Sequence, residues 1–358
     1  MLSLAAPGKY LQGRNLIENI SSHINVLGSK FAIICDEVVL QIIEEKINTS
    51  FSNNKNMHGF ILFRGESTQI EAERIASVVI EKGYQVIVGI GGGKTIDTAK
   101  LAANILGLPL AVIPTVASSD APCSAMSVIY DEDGTFIISS KMKRNPDMVL
   151  VDTEIISKAP VRTLVAGMGD AYATYYEARA CRQSGAKNFS GGTATEAAYD
   201  MAALCRKLLL EYGEQAKEST EKKEWSTALE RIVEANIYLS GVGFENNGCA
   251  IAHAVYSGMT SILKPFPVFH GEAVAFGTIV QLIAEGAYKS NQNELDETIR
   301  FYQRVGLPLT FGQMGIDIPT DKQIYSIAEA TCTKSKNAYN MPFHVDSKTI
   351  FNALKLTL

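Results

Sequence analysis

Gln85-Val-Ile-Val-Gly-Ile-Gly-Gly-Gly-Lys-Thr-Ile-Asp97 is the stretch whose reading decides the fold. An apolar run closes on three consecutive glycines and opens into a helix-forming sequence through Asn104, so it reads as strand, turn and helix. Glycines at such a turn let the backbone approach a ligand closely. The free N–H groups of the helix's first turn, with the positive end of its dipole, suit a phosphate or pyrophosphate. Two familiar phosphate loops do not match. A Walker loop needs glycine where Val88 stands, and the common dinucleotide fingerprint begun at Gly89 needs glycine or alanine where Lys94 stands.

Short, largely β-branched runs surround this segment at Phe31 to Asp36, Gly59 to Phe63, Leu110 to Pro114 and Met148 to Asp152. Helical patterns over 37–47, 67–82 and 94–106 separate the first four strands of the series, which predicts right-handed crossovers and a mainly parallel sheet. A hairpin interrupts it, with Met126-Ser-Val-Ile-Tyr130 and Thr135-Phe-Ile-Ile138 flanking the turn residues Asp131 to Gly134. Beyond Ala159-Pro160 the texture becomes helical, near 161–183, 192–217, 226–240, 245–261 and 271–289. The expected architecture is an α/β domain over 1–159 with a mainly parallel sheet, followed by an all-α domain over 160–358.

A length of 358 residues suits two domains, and 46% hydrophobic with 20% charged residues is ordinary for a globular enzyme. The net charge of −5 gives no whole-chain attraction for nucleic acid or an anionic membrane. With no signal-like start and no run of 18 apolar residues, the expectation is a cytoplasmic protein. Six scattered cysteines form no C-x-x-C pair, which argues against a zinc ribbon or redox dithiol.

Asp36 ends the first strand of the series, where a carboxylate can accept from the ribose hydroxyls of an adenosine; the same position also suits a helix N-cap. Pro114-Thr-Val-Ala-Ser-Ser-Asp-Ala-Pro-Cys-Ser124 is a small polar loop leaving a strand, and Asp120 is its one charged residue, as a crevice group or a surface turn. Asp170 lies in Gly167-Met-Gly-Asp170, His253 in Ala250-Ile-Ala-His253 and His270 in Val268-Phe-His-Gly-Glu272. Two imidazoles and a carboxylate fit a three-ligand metal site with an open position, for zinc or for iron(II). From Leu239 to Gln281 the only basic side chain besides histidine is Lys264, which fits a neutral alcohol or polyol better than an anionic substrate.

Matching stretches run nearly end to end: Ala6-Pro-Gly-Lys-Tyr10, Gly89 to Asp97, Ile113-Pro-Thr115, Ser118-Ser-Asp-Ala-Pro122, Ser127-Val-Ile-Tyr130, Gly167-Met-Gly-Asp-Ala171, Ala252-His-Ala254, Phe269-His-Gly-Glu272 and Asn340-Met-Pro-Phe343. In these the chain resembles the iron-containing (group III) alcohol dehydrogenase superfamily, with its dehydroquinate-synthase-like fold, and within it the glycerol dehydrogenases. The resemblance implies NAD-dependent oxidation of glycerol to dihydroxyacetone, with one zinc at Asp170, His253 and His270 polarising the alcohol and hydride passing from C2 to the nicotinamide C4. It puts Asp36 on the adenosine ribose, and Gly92, Gly93, Lys94, Thr95, Ile96 and Asp97 with Thr115, Val116, Ala117 and Ser118 along the dinucleotide. Ser124, Met126 and Tyr130 then flank the nicotinamide, and Asp120 and His253 contact the polyol. Iron-dependent members commonly place a third histidine four residues after the ligand Asp; here Thr174 stands there, which favours zinc. The resemblance further implies a homo-oligomer, often an octamer. Within the same superfamily, a glycerol-1-phosphate dehydrogenase or a lyase of the dehydroquinate synthase type is the alternative.

Overall fold

The computed structural model describes residues 1–358 apart from 53–55, 135, 287–291 and 358. The chain divides into two compact units: Ala6–Pro160 with Lys222–Ser226, and Met1–Ala5 with Val161–Glu221 and Thr227–Leu358.

The first unit holds a six-stranded parallel sheet in the order β1-β8-β5-β4-β2-β3, built from β1 (Tyr10–Gly13), β2 (Lys30–Cys35), β3 (Met57–Leu62), β4 (Val86–Gly91), β5 (Leu110–Pro114) and β8 (Met148–Asp152). A short helix α1 (Ile20–Ile24) precedes β2. The crossovers are α2 (Glu37–Ser52), α3 (Gln69–Lys82) and α4 (Gly93–Leu106). Ile33, Val88, Ile90, Ile113 and Leu150 are fully buried, so the central strands read as continuous apolar runs. The antiparallel pair β6 (Met126–Tyr130) and β7 (Phe136–Lys141) forms its own two-stranded sheet; Thr135, expected in its second strand, lies outside the described residues. The strand β1 was not anticipated. Only four residues long and half-buried throughout, it carries no apolar run and is recruited by pairing with β8 from Tyr10↔Val149 to Gly13↔Asp152.

The order of strands fixes where a ligand can sit. From β2 the chain moves outward to β3, and from β4 it moves the opposite way to β5. The ends of β2 and β4 therefore flank the topological switch point, the crevice that open parallel sheets offer to ligands.

After the short helix α5 (Thr153–Lys158), the second unit is helical: α6 (Val161–Ser184), α7 (Glu196–Glu221), α8 (Thr227–Val233), α9 (Ser240–Asn247), α10 (Ile251–Ile262), α11 (His270–Ala284), α12 (Gln292–Val305), α13 (Asp321–Lys334) and α14 (Ser347–Lys355). The helix expected over 245–261 is two. A π-helical segment, Glu234–Leu239, runs α8 into α9, and the rod then stops at Gly248, whose φ of +105° ends it before α10 begins. Positions 287–289 of the helix expected over 271–289 lie outside the described residues. None of the described helices is long and apolar enough to cross a membrane.

Candidate active site

In the helical unit, Asp170 on α6, His253 on α10 and His270 at the first position of α11 converge. Small residues make this possible. A Cβ on Gly169 would lie 2.4 Å from the Gly271 carbonyl oxygen, and one on Gly271 would lie 1.8 Å from that of Ala166. The two backbones touch there, one residue before Asp170 and one after His270.

The Nε2 atoms of His253 and His270 stand 3.4 and 3.3 Å from Asp170 Oδ1. Around an ion bound at about 2.0–2.1 Å, the edge of a ligand tetrahedron is roughly 3.3–3.4 Å, so both spacings fit one zinc-sized cation. Charge agrees with spacing. Asp170 and Glu177 are both fully buried carboxylates, and buried charge needs a counter-charge. Burial would raise the Asp170 carboxyl, but the imidazoles of His270 and His253 outweigh it and hold it below the usual carboxylate range. Burial likewise opposes the charged form of His253, whereas Cys249, Glu177 and Asp170 raise it well above the ordinary imidazole value. The His270 side chain keeps 35% exposure, which leaves the set accessible on that side, as a catalytic centre needs.

Glu177 went unassigned in the sequence, although it lies seven residues after Asp170 on the same face of α6. Its Oε2 is 2.7 Å from His253 Nδ1, and its Oε1 accepts from the backbone N–H groups of Ala250 and His253 at 2.8 and 3.0 Å. With Nδ1 committed to Glu177, the neutral ring of His253 carries its lone pair at Nε2, the nitrogen that faces Asp170 Oδ1. The Tyr256 ring meets His270 edge-on, with centroids 4.4 Å apart. Thr174 is buried, and its Oγ1 pairs with Ser240 Oγ at 2.8 Å.

In the α/β unit, Asp36 follows β2 and Gly91 ends β4, on the two sides of the switch point. The Asp36 Oδ1 accepts from Val39 N at 2.8 Å, so this oxygen caps α2 and the other is left for a ligand. The glycines divide by role. A Cβ on Gly89 would lie 2.6 Å from Ala99 Cβ, and one on Gly91 would lie 2.8 Å from Thr95 Oγ1; these two let strand and helix pack. A Cβ on Gly93 would meet nothing within 4 Å, one on Gly92 only Val116 at 3.8 Å, and no side chain caps α4. The head of α4 thus has open space beside Gly93 and no side-chain cap on its first turn, as an anion cradle requires.

Other expected cofactor residues sit differently. Thr95 is buried, the Ile96 amide is committed to Gly92 O at 3.0 Å, and Asp97 Oδ2 accepts from Val128 N at 3.0 Å, pinning β6 to α4. Lys94 is paired with Glu66, its ammonium 5.5 Å from the Tyr130 ring centroid. Thr115 N donates to Gly91 O at 3.1 Å; Val116 and Ser118 are half-buried, and Ala117 is buried. Asp120 is 7% exposed at the head of a short turn, Ser124 is buried, and Met126 and Tyr130 are half-buried. Buried Lys100, another residue unassigned in the sequence, donates to the carbonyls of Ala121 and Met126 at 2.5 and 2.8 Å and so fixes this loop. A lysine amid Ala and Leu on an apolar helix was its signal.

The family model described as iron-containing alcohol dehydrogenase matches residues 7–153. The chain is 42% identical to a glycerol dehydrogenase of Pseudomonas putida, covering 98% of this chain and 96% of that one. It is 44% identical to a glycerol dehydrogenase of Thermotoga maritima, covering 98% and 94%. The solved glycerol dehydrogenase of Schizosaccharomyces pombe superposes with a TM-score of 0.94 at 35% identity, over 100% of this chain and 90% of that one.

Proposed function

Since the chain belongs to the iron-containing alcohol dehydrogenase family, we propose that it oxidises glycerol and related vicinal diols, with NAD as hydride acceptor and one zinc per subunit. The observation that carries this reading is the convergence of Asp170, His253 and His270, with both imidazole Nε2 atoms at tetrahedral-edge spacing from Asp170 Oδ1 and one accessible side. When bound, the metal supplies a Lewis acid that acidifies an alcohol hydroxyl, and NAD supplies the acceptor for the carbon-bound hydride.

The chain's own residues do the rest. Asp170, His253 and His270 hold the ion, and Glu177 keeps His253 in the ligating tautomer. The free oxygen of Asp36 accepts from the ribose hydroxyls and repels a 2′-phosphate. The amides of Gly93 and Lys94 receive the pyrophosphate, Thr115 to Ser118 follow the dinucleotide, and Ser124, Met126 and Tyr130 flank the nicotinamide. Asp120 and His253 contact the polyol. Thr174, in place of a third imidazole, favours zinc over iron, and the scarcity of basic residues between Leu239 and Gln281 favours a neutral diol over a phosphorylated one. The reading extends to a cytoplasmic homo-oligomer, whose mass light scattering measures.

The test is NAD reduction with glycerol, 1,2-propanediol, 2,3-butanediol and glycerol 1-phosphate, each with and without a chelator. Turnover of the diols that the chelator abolishes and zinc restores is expected. Preference for glycerol 1-phosphate, or turnover indifferent to the chelator, would overturn the reading.

A further inference from the structure

We propose that Arg162 and Glu272 are a positioning pair that fixes His270 against Asp170. The inference rests on Asp170, His253 and His270 being metal ligands. Arg162 is the second residue of α6 and Glu272 the third of α11, the helices that carry Asp170 and His270. The guanidinium grips the carboxylate with both prongs, Nε to Oε1 at 2.7 Å and Nη2 to Oε2 at 2.8 Å. The same carboxylate reaches back, its Oε2 accepting from the Phe269 N–H at 2.9 Å, which closes the first turn of α11 around His270. The guanidinium also lies 4.5 Å from the Phe269 ring centroid.

The geometry explains why such a pair matters. The two helices touch backbone to backbone where Gly169 and Gly271 meet. The close approach extends to Ala166 and Ala275, so the crossing itself is held, and what remains to be fixed is the first turn of α11, where His270 lies at the helix end with its side chain 35% exposed. Arg162 lies seven residues before Gly169, about 10 Å along the helix axis. A bidentate contact from there holds this turn, because the planar fork resists rotation that a single hydrogen bond would allow. Arg162 touches none of the three ligands, so its effect on the metal passes through Glu272 and the turn that Glu272 closes.

The experiment uses the full chain stripped of metal. Zinc affinity is measured by competition with a chromophoric chelator, NAD affinity by calorimetry, and the thermal midpoint of the metal-free protein alongside. Arg162→Ala and Glu272→Gln are each expected to weaken zinc binding by roughly ten- to a hundredfold, the range for residues that orient ligands. The double variant is expected to be no weaker than the weaker single one, since both break one device. Arg162→Lys, which keeps the charge but not the fork, should fall between wild type and Arg162→Ala, and it serves if the alanine variant does not fold. NAD affinity should stay at the wild-type value. A lowered thermal midpoint with zinc affinity within about twofold of wild type would make the pair a mere staple and overturn the proposal. Failure of the wild-type chain to bind zinc would instead remove the metal reading, and the positioning role with it.

Discussion

Glu177 and His253 link the two helices they occupy, 2.7 Å from Oε2 to Nδ1, and the other oxygen of Glu177 accepts from two amides at the start of α10. No side chain of α10 itself caps this helix. One buried carboxylate therefore orients the His253 ring and closes the turn that presents it.

Glu177→Gln keeps an acceptor near the amides but removes the charge that holds Nδ1–H. Zinc affinity should fall by roughly ten- to a hundredfold, as for other residues behind a ligand histidine. Competition titration reads this directly, and an affinity equal to wild type would reduce Glu177 to a helix cap.

His270→Ala should abolish bound zinc and diol oxidation while leaving NAD binding nearly intact, because His270 belongs to the helical unit and the switch-point residues to the α/β unit. Two remaining ligands hold zinc poorly. Elemental analysis and calorimetry with NAD check the two halves; stoichiometric zinc with wild-type turnover would take His270 out of the site.

The glycines give opposite expectations. Gly89→Ala drives a methyl to 2.6 Å from Ala99 Cβ and should cost about 1–3 kcal/mol of stability. Gly93→Ala enters open space at the head of α4 and should leave stability unchanged or raise it by about 0.4–1 kcal/mol, while NAD binds more weakly because the methyl occupies the approach to the amides. Thermal midpoints and NAD titration separate them. Undiminished NAD affinity in Gly93→Ala would move the pyrophosphate elsewhere.

Asp36→Asn preserves an oxygen for the Val39 amide and loses only the charge. The ratio of kcat/KM for NAD over NADP should fall while the thermal midpoint holds. If the ratio stays, capping α2 is the whole role of Asp36.

The fold class was legible because its signals are local. The apolar runs of β2, β4, β5 and β8 and the turn at Gly91 to Gly93 declare themselves within a few residues. What escaped depends on distant partners. Tyr10 to Gly13 becomes a strand only because Met148 to Asp152 offers an edge, and Gly248 ends a helix that periodicity would have continued. The same division runs through the candidate site. Asp170, His253 and His270 stand out as a carboxylate and two imidazoles in small-residue surroundings, and the structure brings them together. Glu177 and Lys100 act through contacts with residues 76 and 26 positions away, which no spacing rule reveals. Asp97 sits inside the glycine motif yet spends its carboxylate on Val128.

Thr174 bears on how this centre could change over evolutionary time. A Cβ on Gly243 would lie 2.9 Å from the Thr174 methyl, so α9 passes directly over this side chain. An imidazole in place of Thr174 is bulkier than the methyl it replaces and would press on that backbone, and the Thr174–Ser240 hydrogen bond would be lost. A histidine there has to be accommodated by a shift of α9. On the proposed three-ligand reading, a fourth ligand at this position calls for coordinated change, and a laboratory search for it should mutate positions 174, 240 and 243 together.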